Sequence, residues 1–365
     1  MSIILFIIIL AVLILVHEFG HFIVAKKSGV RVDEFGLGFP PKLWAKKFGD
    51  TLYTLNAIPF GGFVKIFGED PHSTEIKEED KATSFYYKPK WIQASILVAG
   101  VVFNLIFAWL LISGTFMMGV PATEGHSRWG EVMDAKMSIT AVAPDSPAAL
   151  GGIETGDTVL FVSSEVGFAQ GESLTVENIQ KVISESESQV EILYKDPSGV
   201  TQTAFIEPTL DDASGRKVIG VSLDKVGILR LPVHYAFLEG ARTTYLFTKA
   251  TAIGLGDFLW NVVTFKSDFS QVSGPVGIAG IVGEASGLGL VYVLSLVAVI
   301  SINLAIINLV PFPALDGGRL LFVLIESITR RPINPKFAIW ANTIGFVLLI
   351  ILMIVVTGHD IFRLF

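Results

Sequence analysis

Four long apolar segments constrain this chain more than any other feature of its sequence. They comprise residues 3–25, 92–118, 288–310 and 337–357. An α-helix rises about 1.5 Å per residue, so each segment is long enough to cross a bilayer core of about 30 Å. Only helices and closed barrels satisfy every backbone polar group in lipid. The sequence therefore predicts a multi-pass α-helical membrane protein with four transmembrane helices.

The composition supports this interpretation and excludes several kinds of site. The chain of 365 residues is 51% hydrophobic and has a mean hydropathy of +0.61, which is too apolar for an ordinary soluble domain. It contains no cysteine, so disulfides and cysteine-based zinc sites are excluded while the compartment stays open. The basic residues are scattered and form no stripe, so no nucleic-acid partner is predicted.

The first apolar segment is either a cleaved signal peptide or a retained span. No basic residue precedes the segment, and no small-residue cleavage site follows it. The apolar pattern also resumes at residues 22–25. A retained transmembrane helix is the better interpretation.

The charged loops predict an orientation in the membrane. Basic residues follow the first span and separate the third span from the fourth: Lys26, Lys27, Arg31, Lys42, Lys46, Lys47, Arg319, Arg330, Arg331 and Lys336. Short loops rich in Lys and Arg face the cytoplasm. Both termini and residues 119–287 should then lie outside. The even number of spans agrees with this orientation.

Residues 50–70 are too apolar for a plain cytoplasmic loop. They are rich in β-branched and aromatic residues and are interrupted by Asn56, Pro59 and Gly61-Gly62, which predicts β-strands joined by turns. We expect this β-hairpin to be embedded in the membrane face, where protein must cover the backbone or the backbone must line a cavity. Residues 71–90 are polar and predict a solvated linker.

Residues 135–210 predict a soluble α+β domain. The pattern "SITAVAPDSPAALGGIETGDTVLFV" indicates a strand, a turn, a short helix and a second strand. "TVENIQKVISES" predicts a helix with Ile179, Val182 and Ile183 on one face, and "QVEILYK" and "VTQTAFIEP" predict strands. Residues 233–265 predict a long amphipathic helix, which lies along the outer interface or packs against the soluble domain.

The sequence HEFGH, residues 17–21, places two histidines and a glutamate at the end of an apolar span. His17 and His21 are about 40° apart around a helix, so both side chains can reach one zinc ion at about 2.0–2.1 Å. Glu18 is close enough to hold a water without being a ligand. This H-E-x-x-H arrangement is typical of zinc proteases. The alternative is a pair of intramembrane histidines in the proton relay of a transporter.

A catalytic zinc generally takes a third protein ligand. The remaining histidines, His72, His126, His234 and His359, are poor candidates because of their predicted positions. His17 lies about 21 Å along the first helix from Ile3, in the cytoplasmic third of the bilayer. In "NLVPFPALDGG", Pro311 and Pro313 end the third helix and allow Asp316 to remain at membrane depth. Taken alone, "ALDGG" indicates only a turn.

Together these motifs resemble the site-2 proteases, a family of intramembrane zinc metalloproteases, and closely the bacterial branch that includes RseP and RasP. The resemblance covers nearly the whole chain and rests on five segments: "HEFGH" at 17–21, "PFGGFVKIFGED" at 59–70, "SPAALGGIETGD" at 146–157, "SGPVGIAG" at 273–280 and "NLVPFPALDGG" at 308–318. The third of them is the signature of a PDZ domain. The single PDZ domain is nearer the RasP pattern than the RseP pattern.

The resemblance implies a bacterial inner-membrane location and a role for each motif. His17, His21 and Asp316 would be zinc ligands, and Glu18 would be the general base. Asn308 matches an asparagine that contacts the substrate backbone, and residues 50–70 match a membrane-embedded hairpin that pairs with the substrate. We expect the edge strand that starts at Gly62, with Phe63, Val64 and Lys65, to bind an unwound substrate by strand addition. Gly61-Gly62 alternatively forms only a turn.

The implied activity is regulated intramembrane proteolysis. Its substrates would be single-pass membrane proteins, such as anti-sigma factors and remnant signal peptides, already cut once outside the membrane. Zinc polarises the scissile carbonyl and lowers the pKa of a water to about 7, and Glu18 would move the proton to the leaving amine. The PDZ-like domain, which is acidic overall, would bind a peptide C-terminus or act as a filter.

Two other functions remain open. A membrane-anchored zinc protease of soluble chains would take a downstream glutamate, Glu326, as third ligand. A PDZ scaffold without enzymatic activity would not need Glu18.

The expected organisation has nine segments. These are residues 1–34, the first transmembrane helix; 35–70, the β-hairpin region; 71–91, a cytoplasmic linker; 92–118, the second transmembrane helix; 119–232, the extracytoplasmic PDZ-like domain; 233–287, an amphipathic helix and connection; 288–318, the third transmembrane helix with LDGG; 319–336, a cytoplasmic loop; and 337–365, the fourth transmembrane helix and C-terminus.

Overall fold

A computed structural model describes residues 2–69, 76–125, 127–211, 215–264 and 274–362. The helices in these ranges are α1 (Ser2–Lys27), α2 (Lys90–Met118), α3 (Pro147–Leu150), α4 (Val176–Glu185), α5 (Val233–Val263), α6 (Pro275–Leu288), α7 (Leu290–Leu309), α8 (Asp316–Thr329) and α9 (Pro335–Phe362). The strands are β1 (Val32–Phe48), β2 (Thr51–Ile66), β3 (Val120–Thr123), β4 (Val132–Val142), β5 (Thr158–Ser164), β6 (Gly167–Gln170), β7 (Val190–Lys195), β8 (Thr201–Ile206), β9 (Thr209–Asp211), β10 (Arg216–Val218) and β11 (Val221–Leu229). His72 and His126 lie outside the described residues.

As predicted, the described residues include four helices that could span a membrane by their length and composition. The helices long and apolar enough to cross a membrane cover Ile3–Lys27, Lys90–Met118, Leu290–Leu309 and Lys336–Phe362. Their ends differ from the predicted ones by a few residues, because apolarity locates the centre of a helix better than its last turn.

The chain divides into two compact units, Phe116–Tyr235 and the remainder. In the larger unit, α1 contacts different partners at its two ends. Ile9 and Leu13 pack with α6 and α7, whereas Ala25 packs with β2 and α2. Near Ala25, helices α1 and α2 are in close contact. A Cβ atom on Gly20 would lie only 2.6 Å from the carbonyl oxygen of Ala99, so the contact requires glycine at this position. The HEFGH turn is therefore held against α2.

The β-hairpin differs from the predicted one in its boundaries. Its strands are β1 and β2, joined at Gly49-Asp50, so the hairpin begins at Val32 and not at residue 35. The turns predicted at 56–62 are found: residues 52–55 pair with 34–37 in parallel register and 62–65 pair with them in antiparallel register, so the chain reverses direction between 56 and 62. Gly61 lies in this reversal with a φ of +106°, which glycine tolerates at little cost.

Residues 34–37 are the centre of this small sheet. They pair with residues 52–55 on one side and with 62–65 on the other. In the described part of the chain, 62–65 has no further strand beside it. The segment 62–65 is therefore an edge strand with free backbone hydrogen-bonding groups.

Two predicted connections contain helices. The loop expected at 319–336 is mostly α8, and Asp316 is the first residue of α8 and not a part of the third span. The connection expected after the amphipathic helix contains α6. The hydrophobic pattern of both helices is short, and an apolar segment of about 10–14 residues does not predict a span.

The smaller unit is an α+β fold. Its main sheet has the strand order β3-β11-β4-β5-β7-β8, and β6 pairs with β5. The predicted helix is confirmed as α4, which is capped by the Thr175 hydroxyl and buries Ile179, Val182 and Ile183. The two strands predicted after it are confirmed as β7 and β8.

Asp360 provides the first prediction, on stability. This buried carboxylate of α9 accepts hydrogen bonds from the backbone N–H groups of Gly274, at 3.1 Å, and Gly277, at 2.8 Å, at the start of α6. Gly274 has no side chain that could cap α6, so Asp360 takes the role of the N-cap. Asp360→Ala is expected to lower the free energy of unfolding by about 0.5–2 kcal/mol, measured in detergent. Asp360→Asn keeps an acceptor and should lose less; equal losses would contradict the capping role.

Candidate metal centre

His17, His21 and Asp316 come together in the larger unit. Asp316 Oδ2 lies 3.0 Å from His17 Nε2 and 3.2 Å from His21 Nε2, and the two Nε2 atoms are 3.2 Å apart. All three ligand atoms lie within 4.8 Å of one another. Both histidines are buried, whereas the Asp316 side chain is 21% exposed. Two imidazole nitrogens and one carboxylate oxygen form a donor set that suits a catalytic zinc and leaves a coordination position free.

The short connection between α7 and α8 places Asp316 beside the two histidines. α7 ends at Leu309, before the two prolines, and Ala314 adopts a φ of +77°. Gly317 and Gly318 are buried, and a Cβ atom on either would clash with the backbone carbonyl oxygens of residues 309 or 312. The pair of glycines is therefore required for the first turn of α8 to fold against the end of α7, which holds the carboxylate beside the histidines.

Gly100 of α2 forms one wall of the metal centre. A Cβ atom at this position would meet His21 Nε2 and would lie 2.6 Å from His17 Cε1 and 2.8 Å from His17 Nε2. The two Nε2 atoms are the ones nearest Asp316 Oδ2, so the absence of a side chain at Gly100 leaves space beside the candidate ligand atoms. The residues present thus fit a bound zinc.

The second prediction follows from this wall. Gly100→Ala is expected to displace the imidazoles and to weaken zinc binding by at least about 10–100-fold, the range seen when groups that orient metal ligands are disturbed. Gly114→Ala is the matched control, because Gly114 is in the same helix and a Cβ there would meet nothing within 4 Å. Zinc content and Kd are measured by chelator competition. Equal affinities of the two variants would contradict this account.

The outward nitrogens of the two imidazoles also have partners. His21 Nδ1 lies 2.7 Å from the carbonyl oxygen of Ile96, and His17 Nδ1 lies 3.2 Å from Asn104 Nδ2. Asn104 and Gly100 were not predicted from the sequence as parts of the site. A polar residue in an apolar span is a signal that could have indicated Asn104, since such residues mark functional positions.

Glu18 lies beside the three clustered residues and is not one of them. It lines a cavity of about 220 Å³ together with His21 and Asp316. An ion pair between Arg319 and Glu69 lies at the same cavity. The cavity is large enough for a few water molecules and brings a carboxylate close to the metal centre.

The residues predicted to bind substrate lie at different distances from the metal centre. Asn308 Nδ2 is 3.5 Å from His17 Nε2. Phe63 and Val64 line the cavity, and a Cβ on Gly62 would lie 3.6 Å from Glu18 Cγ. Lys65 is exposed and does not line this cavity. The edge strand 62–65 therefore runs past Glu18.

The other candidate ligands are elsewhere. Glu326 pairs with Lys90 at 2.6 Å and accepts a hydrogen bond from the backbone N–H of Ile333 at 2.9 Å. Neither it nor His234 or His359 belongs to the cluster of metal-binding groups found among the described residues. The carboxylate that joins the two histidines is that of Asp316.

Comparisons with known proteins agree with this geometry. The sequence model of Peptidase family M50 matches residues 5–352. A Clostridium perfringens protein that carries the name of a zinc metalloprotease is 34% identical, over 96% of this chain and 95% of its own length. The regulator of sigma-W protease RasP of Bacillus subtilis is 28% identical, over 100% of this chain and 99% of its own length. The zinc metalloprotease RasP of Bacillus licheniformis is 29% identical over the same shares.

Proposed function

Because the chain belongs to Peptidase family M50, the site-2 proteases, and is thus a zinc metalloendopeptidase, we propose that it cuts the transmembrane segments of single-pass membrane proteins after a first cut outside the membrane. The observation that carries the proposal is a cluster of three candidate zinc ligands. His17 and His21 lie in a helix long and apolar enough to span a membrane, Asp316 lies next to them, and Glu18 lines the same cavity. A metal centre at that depth acts on peptide bonds that soluble proteases cannot reach.

In this proposal each residue of the centre has one role. His17, His21 and Asp316 hold the zinc ion, which supplies Lewis-acid chemistry that polarises a carbonyl and acidifies water. Glu18 accepts the proton of the attacking water and donates it to the leaving amine. The buried imidazoles and the carboxylate of Asp316 keep this arrangement fixed, so little reorganisation is needed during the reaction.

A helical substrate must unwind before it can be cut, because its backbone carbonyls are hydrogen-bonded within the helix. The exposed backbone groups then need new partners, since lipid offers none. The edge strand 62–65 can supply them by strand addition, and Asn308 can bind a further backbone group close to His17. Gly62 allows the substrate to approach Glu18 because it has no side chain.

The smaller unit is proposed to be an extracytoplasmic PDZ-like domain. A groove of about 920 Å³ lies between α4 and the start of β11, with Lys181 and Lys217 among its lining residues. Such a groove can take a peptide C-terminus as an added strand, with the carboxylate near the basic groups. A substrate trimmed by the first protease presents a new C-terminus of this kind. Filtering by size is the alternative role.

We place both termini and the PDZ-like domain outside the cytoplasm and the metal centre near the inner face. The basic loops after the first span and before the fourth support this orientation. Anti-sigma factors and remnant signal peptides are the proposed substrates. The name of the Bacillus subtilis relative, a regulator of sigma-W protease, supports the former.

The test is cleavage in proteoliposomes. Two versions of a single-pass substrate are supplied, one with its ectodomain and one already trimmed outside, and the cut is mapped by mass spectrometry. We expect a cut within the transmembrane segment of the trimmed version and little cleavage of the other. A cut only in soluble regions would contradict the proposal and would favour a membrane-anchored protease of soluble chains. Absence of cleavage with zinc bound would favour a scaffold.

A further inference from the structure

The outward faces of the two ligand imidazoles are not equivalent. A neutral imidazole carries one N–H, and when Nε2 holds a metal the hydrogen is on Nδ1 and must donate. For His21 the carbonyl oxygen of Ile96, 2.7 Å from Nδ1, accepts this hydrogen bond. For His17 the neighbour of Nδ1 is the side-chain amide of Asn104, 3.2 Å away through Nδ2. An amino group cannot accept a hydrogen bond, so this orientation suits the tautomer with the proton on Nε2.

The amide of Asn104 can serve either tautomer. Its Oδ1 is buried and has no hydrogen-bond partner within the described ranges, and the whole residue is 0% exposed. The amino and carbonyl ends of an amide are nearly equal in size, so a half-turn about the Cβ–Cγ bond exchanges them without moving other atoms. After that rotation Oδ1 faces His17 Nδ1 and accepts its hydrogen.

We propose that Asn104 is the positioning residue that fixes the metal-binding tautomer of His17, with its amide oxygen accepting the Nδ1–H. In this arrangement the Nε2 lone pair of His17 points toward Asp316 and His21, where the ion is held. The helix carrying Asn104 is anchored by the Ser301 hydroxyl, which donates to the backbone carbonyl oxygen of Asn104 at 2.8 Å. Asn104 itself touches neither metal nor substrate.

This inference rests on the zinc centre of the proposed function, and its test measures metal binding in place of proteolysis. The full-length protein is purified in detergent, and the zinc Kd of each variant is determined by chelator competition. Asn104→Ala and Asn104→Leu lack an acceptor and are expected to weaken zinc binding by about 10–100-fold. Asn104→Asp keeps an acceptor and has no donor, so it should stay within a few-fold of the original affinity.

The aspartate variant separates this inference from a structural role of Asn104. If the amide served His17 as a donor, or only filled space, Asn104→Asp would lose as much affinity as Asn104→Leu, and that result would overturn the inference. Ser301→Ala is the matched control, because it removes a hydrogen bond from the same buried contact without approaching His17, and its zinc Kd should not change. Unchanged affinity in Asn104→Ala would also overturn the inference.

The visible spectrum of the cobalt-substituted protein should shift in the alanine variant and stay close to the original in the aspartate variant.

Discussion

Asp316→Ala is expected to remove zinc from the protein and to abolish its proteolytic activity. Asp316 supplies the one carboxylate of the cluster, within 3.2 Å of both histidine Nε2 atoms. Structural zinc sites bind with about 10–16 kcal/mol over four ligands, so one ligand accounts for about 2.5–4 kcal/mol, or about 10²–10³-fold in Kd. Metal content after dialysis, measured by atomic absorption, and Kd from chelator competition check this prediction.

Glu326→Ala is the matched control for the loss of zinc. Glu326 is the other carboxylate considered as third ligand, and it is engaged with Lys90 and the backbone of Ile333. This variant is expected to keep one zinc ion per chain, although its stability should fall because Lys90 is left without this partner. Retention of stoichiometric zinc in Asp316→Ala, with loss in Glu326→Ala, would refute the assignment of the third ligand.

Glu18→Gln is expected to keep zinc and lose cleavage. Glutamine has nearly the same shape as glutamate and no carboxylate to accept a proton. General acid–base catalysis contributes about 10²–10⁴-fold, so the turnover number should fall by that factor. In the proposed mechanism the edge strand 62–65 and Asn308 bind the substrate and the charge of Glu18 does not, so the variant should retain uncut substrate. Single-turnover cleavage in proteoliposomes and copurification of the bound segment measure the two effects.

A second carboxylate at the same cavity provides the control for charge. Glu69 lines the cavity with Glu18 and pairs with Arg319, so Glu69→Gln makes the same change of charge nearby. We expect it to reduce turnover by less than about tenfold, because Glu69 has no part in the proposed proton transfer. A comparable loss of turnover in both variants would indicate that turnover depends on the total negative charge at the cavity and that Glu18 is not the general base.

Local patterns in the sequence were sufficient to predict the elements of the fold. Each span is recognisable because about 20 apolar residues in a row have few other structures available to them. The HEFGH motif needs only the geometry of one helix to bring His17 and His21 together, since residues four apart share a face. The helix α4 could be predicted with its buried face for the same reason, and its three predicted core residues are buried.

The pattern was less informative where backbone geometry departs from regular elements. The β-hairpin begins at Val32 and not at the predicted residue 35, because the ends of an element are weakly marked in a sequence. The helix α8 was predicted as a loop, since its charged residues obscured a short apolar face. Both differences concern element ends or short segments, where local propensity is easily overridden by packing.

By itself, the sequence determined that the chain has helices long and apolar enough to cross a membrane and that one of them carries two histidines and a glutamate within about one turn. These conclusions depend on interactions between near neighbours, which spacing along the chain fully describes. Asp316, 299 residues from His17, was expected beside the histidines through the family resemblance, and only the tertiary structure brings its carboxylate to them, places Gly100 against both imidazoles and sets Asn104 beside His17. Contacts of this kind depend on how helices pack through side chains of complementary shape, and no local pattern encodes that arrangement.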